Sequence, residues 1–386
     1  MKIKFWPSLE LIAHARIAQG ILYTFDLEDL KHTFLEGGLR DSEYIAPITK
    51  KISEIVLPNY RATFCRLTAA RRKPEDVIMV HLPPEIKRQL RGIVVALGLE
   101  IKQWFRSHRF IVRGDSHNLR KNLTWFSFGV IDRLETARNF IYDEDWDITD
   151  RFHLACKYCF EDDLKMLWRN MTTNHRYFVM RLLPRTRNIE LYLQTLNTNI
   201  PRDWAEISFN ERRNFFRGNF LGIRSYFSKL RGREIKYQCI YYVLESGNVH
   251  HYDLYSCISQ LNDDDLYTIR TRLPTAEFCK LFRSFLQWPF QIMFLDVVNF
   301  FKQNISNDIF HGVVTFILLS ELGWGFQDHT YVEIFKPFWN LFSAKYEEGL
   351  KKRVELYELA KYILESGLKN YDARKYRYLL NLHFSD

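Results

Sequence analysis

The chain has 386 residues, of which 47% are hydrophobic and 26% are charged, and its formal net charge is +9. Its apolar content predicts a folded globular protein and excludes an intrinsically disordered one. Apolar runs are shorter than the ~20 residues of a membrane span, and six cysteines are too few for a disulfide framework. We therefore expect a soluble, intracellular protein in the cytoplasm, with a nuclear location left open.

Nearly every segment has helical periodicity, whereas strand-like character is confined to short pieces such as residues 76–82. The pattern therefore predicts an all-α fold. In chain order, the predicted helices span residues 8–24, 26–35, 59–72, 84–107, 149–170, 203–230, 233–246, 252–261, 275–286, 289–304, 308–322, 330–346, 349–366 and 371–383, with loops at 111–122 and 142–149. Pro84 suits the first turn of a helix, and Gly247 and Gly367 suit C-terminal caps.

The chain divides into four predicted regions. They are N-terminal helices at 1–55, a compact helical segment at 56–95, a basic and aromatic connector at 96–140, and a helical array at 141–386. The main boundary is expected near residues 140–148, where an acidic stretch follows a basic one.

Residues 59–91 combine small, apolar and proline residues in two halves. The pattern consists of Cys65, Arg66, Leu67 and Ala69, followed by Leu82, Pro83, Ile86, Lys87 and Leu90. It resembles the SOCS box, a docking module of ubiquitin-ligase substrate receptors. The resemblance implies that these residues bind elongin B/C and, with it, a cullin. Small side chains let such a helix lie close in a partner's groove, and apolar anchors supply affinity.

Several positions depart from this family's pattern. Arg61 stands where a leucine is usual, and Val80 and His81 replace a Leu-Pro pair. One alternative is that the segment is a hairpin of the protein's own core, with Cys65 as an ordinary buried thiol. Another docking motif is also open, because residues 82–90 are similar to the start of an F-box.

Residues 61–121 hold fourteen Lys and Arg and five Asp and Glu, an excess of nine positive charges (14 − 5). Such a field favours an acidic partner or nucleic acid. Aromatic rings that could stack on bases lie between the cations: Trp104, Phe105, Phe110, Trp125 and Phe126. The alternative is that the rings face the core while the cations stay solvated. We expect the alternative, and nucleic-acid binding ranks third among the functions considered.

Residues 150–168 resemble the helix–turn–helix of an ankyrin repeat, with Cys159 where a turn glycine is usual. The similar hexapeptides at 242–247 and 362–367 resemble the end of a second ankyrin helix. The resemblance implies a divergent ankyrin-like array, or α-solenoid, whose face would bind a protein substrate.

Candidate chemical sites are weak in this sequence. A zinc site could be built from His153, Cys156 and Cys159 with Cys239, His250, His251 and Cys257, but we expect these residues to pack between helices. The acidic run at 261–267 suits a helix start. Nucleotide-binding and catalytic motifs are missing from the sequence, so we expect no catalytic residues, no metal and no cofactor.

Together these features predict a non-catalytic adaptor. The leading expectation is the substrate-receptor subunit of an elongin/cullin-type ubiquitin ligase, in which the 59–91 segment docks and the array recruits substrate. The alternative is a helical-repeat scaffold with no link to a ligase.

Overall fold

The computed structural model describes residues 4–25, 45–58, 79–109, 111, 119–181, 192–193, 196, 209–323 and 330–384. In these ranges helices dominate and one short antiparallel ribbon occurs, so the all-α prediction is confirmed. The helices are α1 Leu9–Leu22, α2 Ile45–Ser53, α3 Pro84–His108, α4 Leu119–Asn122, α5 Arg133–Tyr142, α6 Ile148–Tyr158, α7 Glu161–Asn170, α8 Thr173–Arg181, α9 Phe209–Gly218, α10 Ile223–Tyr226, α11 Arg233–Ser246, α12 His251–Ile258, α13 Asp263–Arg272, α14 Thr275–Phe285, α15 Phe294–Phe300, α16 Asn307–Thr315, α17 Thr330–Lys351, α18 Val354–Asn370 and α19 Ala373–Phe384. None of them is long and apolar enough to cross a bilayer.

The ribbon joins strand β1, Val56–Pro58, to strand β2, Met79–His81, with Val56 opposite His81. Strand β2 lies in the short piece, 76–82, whose sequence is strand-like. The ribbon leads directly into the longest of the described helices.

Helix α3 begins at Pro84, as predicted, and ends at His108. Proline fits the first turn because the N–H that it lacks is not needed there. The buried face of α3 includes Leu90, Val94, Leu97, Ile101 and Trp104. Helices α1 and α2 pack against α3, which makes α3 the axis of the N-terminal part.

Helices α6 and α7 form the helix–turn–helix predicted for residues 150–168. Cys159 caps α6 in the left-handed conformation, with φ of 58°, at the place where a glycine is usual. Its N–H and that of Phe160 bond the last carbonyls of α6. The hairpin is therefore confirmed, and its ankyrin character stays a prediction.

Beyond residue 209, helices pack mainly against near neighbours in the chain. The packed pairs include α11 with α13 and α14, α14 with α16, α16 with α17, α17 with α18, and α18 with α19. The packed core runs as one cluster from Ala18 to Tyr376. It continues across the predicted boundary near 140–148, where α5 and α6 pack together.

The similar segments 242–247 and 362–367 differ in whether their glycine ends the helix. Gly247 caps α11 with φ of 69°, as predicted. Gly367 was predicted to end a helix, and this is wrong, because α18 continues to Asn370. Leu368 and Lys369 are good helix formers, whereas the residues after Gly247 are asparagine and valine.

Five helices were not predicted: α2, α4, α5, α8 and α13. Helix α4 has four residues and lies inside the loop predicted at 111–122, so that part of the loop prediction is wrong. The other four have nine or ten residues each, too few to repeat an apolar period clearly. The acidic run at 261–267 does start α13, where Asn262 and Asp265 form a capping box. The predicted helices 26–35 and 59–72 lie entirely outside the described residues.

Candidate functional site

The predicted docking segment, 59–91, is described only in its second half. The partner-binding residues of its first half lie outside the described ranges: Cys65, Arg66, Leu67 and Ala69. Those of its second half surround the start of α3: Leu82, Pro83, Ile86 and Leu90. The structure therefore locates one half of the predicted surface.

The described half of this segment is divided between core and surface. Leu82 and Leu90 are 7% and 0% exposed and belong to the hydrophobic core. Ile86 is half-buried and packs against that core, whereas Pro83 is exposed. The proline step thus lies at the surface, held there by two leucines that pack inward.

The described aromatic residues of the basic connector are buried or half-buried. Trp104 is fully buried and stacks on His108 and Phe140, with ring centroids 4.1 and 4.9 Å apart. Neighbouring cations such as Arg106 are exposed. The remaining rings are half-buried at Phe105, Trp125 and Phe126, and Phe110 lies outside the described residues. This arrangement weakens the case for an aromatic surface that binds nucleic acid.

Within the described residues, a buried polar cluster brings His250 and His251, which the sequence offered only as partners of the cysteines in a zinc site, together with Glu100, which the sequence had not singled out. Glu100 of α3 meets His250 and His251 at the start of α12. Their ligand-type atoms all lie within 4.8 Å of one another, and all three side chains are buried. We call these three residues the Glu100 cluster. Its sequence signal is a lone acid in the otherwise apolar run 92–101 of α3.

Local structure orients the two imidazoles differently. His250 is the N-cap of α12, and its Nδ1 accepts a hydrogen bond from the Tyr252 N–H at 3.3 Å. Its proton therefore lies on Nε2, which donates to Glu100 Oε1 at 2.9 Å. His251 hydrogen-bonds the backbone of Trp288. Its Nε2, 3.8 Å from Glu100 Oε1, has no protein hydrogen-bond partner.

Burial controls the protonation of the Glu100 cluster. It raises the pKa of the Glu100 carboxyl, lowers the pKa of His250 well below its usual range and lowers the pKa of His251 to about 3. Both imidazoles are therefore neutral at pH 7. The backbone N–H of Ile131 donates to the other carboxylate oxygen, Glu100 Oε2, at 3.4 Å.

Charged residues surround the cluster. The Arg224 guanidinium lies 3.2 Å from Asp132 and 3.6 Å from Asp253. Burial raises the pKa of Asp253 to about 6, and Arg224 opposes that shift. Arg133 is fully buried, its Nε and Nη2 have no protein hydrogen-bond partner, and its charge acts on all three members of the Glu100 cluster.

The cysteines considered as metal ligands lie elsewhere in the core. Cys239 hydrogen-bonds Tyr226, and the Cys159 and Cys257 thiols are near the same phenol. Burial raises the pKa of the Cys239 and Cys257 thiols, which makes them poor nucleophiles and poor ligands. Among the described residues, neither these cysteines nor His153 join His250 and His251 in a group that could hold a metal.

Comparisons with protein-family models, with curated proteins and with solved structures found no match.

Proposed function

We propose that the chain is a non-catalytic protein-interaction adaptor, and that it serves as the substrate-receptor subunit of an elongin/cullin-type ubiquitin ligase. The observation that carries the proposal is the position of Pro83 and Pro84. Both are exposed where β2 ends and α3 begins, so the proline step of the SOCS-like pattern is accessible to a partner.

The burial pattern refines which residues would contact elongin B/C. Leu82 and Leu90 pack in the chain's own core, so their role in this proposal is to anchor α3. Partner contacts would come from the first half, with Cys65 and Leu67 as apolar anchors, and from the exposed Pro83. The predicted role of Ile86 is restricted to its exposed part.

Helix α8, Thr173–Arg181, supports the adaptor proposal as a candidate surface for the protein substrate. Tyr177 is 54% exposed and Met180 is 44% exposed, with Phe178 between them also exposed. The Arg181 guanidinium lies over the Tyr177 ring, 5.3 Å from its centroid. Aromatic, methionine and arginine side chains are enriched at protein–protein interfaces.

A second candidate function is a helical scaffold with no link to a ligase. The burial of Leu82 and Leu90 favours it, because the same burial is expected of a hairpin that belongs only to the core. In that case residues 59–91 bind no elongin.

Co-purification with elongin B/C, with and without a cullin, separates the two candidates. The test variant is Cys65→Asp with Leu67→Asp. The matched control is Leu9→Asp with Ile292→Asp, which places the same charges at apolar positions that are 85% and 53% exposed. Binding by the wild type and the control, lost in the test variant, supports the ligase receptor. A folded wild type that binds no elongin refutes it and leaves the scaffold.

A further inference from the structure

We propose that Glu100, His250 and His251 bind one divalent transition-metal ion, and that this ion is zinc. Two imidazoles and one carboxylate form a ligand set that zinc uses in proteins. The ligands come from α3 and α12, which are separated by about 150 residues in the chain. A metal at this point would therefore cross-link the front of the molecule to its second half.

The spacing of the atoms suits a single ion. Glu100 Oε1 lies 2.9 Å from His250 Nε2 and 3.8 Å from His251 Nε2. Tetrahedral zinc with ligand bonds of ~2.0–2.2 Å places neighbouring ligand atoms roughly 3.3–3.5 Å apart. These two separations lie on either side of that range, and all three ligand atoms lie within 4.8 Å of one another, so the three side chains would have to close around the ion.

His251 supplies the observation that points to a cation. Its Nε2 is buried without a protein hydrogen-bond partner and faces Glu100 Oε1. Because its other ring nitrogen bonds the Trp288 backbone, Nε2 presents a lone pair to an electron-rich oxygen. A positive species between the two atoms would satisfy both. An imidazole whose second nitrogen is held by a backbone group is also the usual arrangement of a metal-binding histidine.

Glu100 is oriented in a compatible way. The Ile131 N–H engages Oε2, which leaves Oε1 directed at both imidazoles. His250 must change more, because zinc at Nε2 moves its proton to Nδ1 and removes the 3.3 Å bond from Tyr252. That loss is one long neutral hydrogen bond, which is small beside a metal–ligand bond.

The surrounding charge does not prevent binding. Arg133 faces the Glu100 cluster and opposes a cation. Formally, however, Arg133 and Arg224 contribute two positive charges, and Glu100, Asp132 and Asp253 contribute three negative ones. The net charge of this buried neighbourhood is then −1 before an ion binds, so a dication is compensated in part. With three protein ligands, one coordination position remains for water.

The test uses the full chain, dialysed against a chelator and titrated with zinc chloride. We expect one zinc per chain by elemental analysis and calorimetry, together with a rise in Tm. Replacing zinc by cobalt should give the visible absorption of a four-coordinate site. His251→Gln and Glu100→Gln should each weaken zinc binding by at least tenfold. The control His153→Gln, at another buried histidine, should leave the affinity unchanged.

Two results would overturn the proposal. The first is a folded wild type that binds no stoichiometric zinc and shows no shift in Tm, which would leave the cluster as hydrogen bonds alone. The second is zinc binding of equal strength in the wild type, His251→Gln and Glu100→Gln, which would place the ion elsewhere. If the variants do not fold, the wild-type stoichiometry and cobalt spectrum decide. Neither measurement depends on elongin binding.

Discussion

Acidification should destabilise the protein through His108, whose imidazole is held neutral in the core. Its ring stacks on Trp104 and on Tyr158. Its Nδ1–H donates to the Trp104 carbonyl at 2.5 Å, and its Nε2 accepts from the Tyr158 hydroxyl at 3.0 Å. Burial, aided by the charge of Arg133, lowers the pKa of His108 to about 3.

The size of this effect follows from proton linkage. The unfolded chain binds a proton at His108 below pH 6.5, whereas the folded chain does so only near pH 3. The contribution of the neutral His108 to the free energy of unfolding is therefore fully present above pH 6.5 and is lost as the pH falls from 6.5 toward 3. At about pH 5, roughly 1.5 pH units below the unfolded pKa, the loss should be about 2 kcal/mol.

Urea unfolding of the wild type and of His108→Gln, at about pH 7 and about pH 5, tests this reasoning. Glutamine keeps a donor and an acceptor but does not titrate, so the wild type should lose about 2 kcal/mol more than the variant. The difference between the two proteins cancels the contribution of Asp253, because both contain it. The pKa of Asp253 is raised to about 6, so its protonation stabilises the folded state as the pH falls, opposite to the effect of His108. Equal losses in both proteins would show that His108 is protonated in the folded state.

Three further predictions concern the stability effects of single substitutions. Leu90→Ala should lower the free energy of unfolding by about 3 kcal/mol, because it empties a fully buried site. Ile86→Ala, at a half-buried site, should lower it by about half as much, and equal losses in urea unfolding would contradict this. Gly222→Ala should lower Tm, because the added Cβ would lie 2.7 Å from the backbone at the end of α6. The control Gly218→Ala has open space around the added Cβ, so it should be neutral or stabilising by up to ~1 kcal/mol. Asn262→Ala should cost about 1 kcal/mol through loss of the capping box, and an unchanged unfolding midpoint would refute that role.

Features that depend on a few neighbouring residues were predictable from the sequence. Pro84 marked the start of α3 to the residue, because proline fixes φ and lacks only an N–H that a first turn does not use. The α6–α7 turn was also predictable, although Cys159 replaces the expected glycine. Short helices such as α5 and α8 were missed, since their periodicity spans fewer than three turns.

Tertiary structure decided which side each pattern faces and which distant residues meet. The sequence of 82–90 is compatible with a partner-binding face or with a core hairpin, and only packing against α1 and α2 turns Leu90 inward. The meeting of Glu100 with His250 could not be predicted, because nothing local to either residue encodes contact across 150 positions. That contact exists because α3 and α12 share one core, and burial there determines the protonation of both side chains.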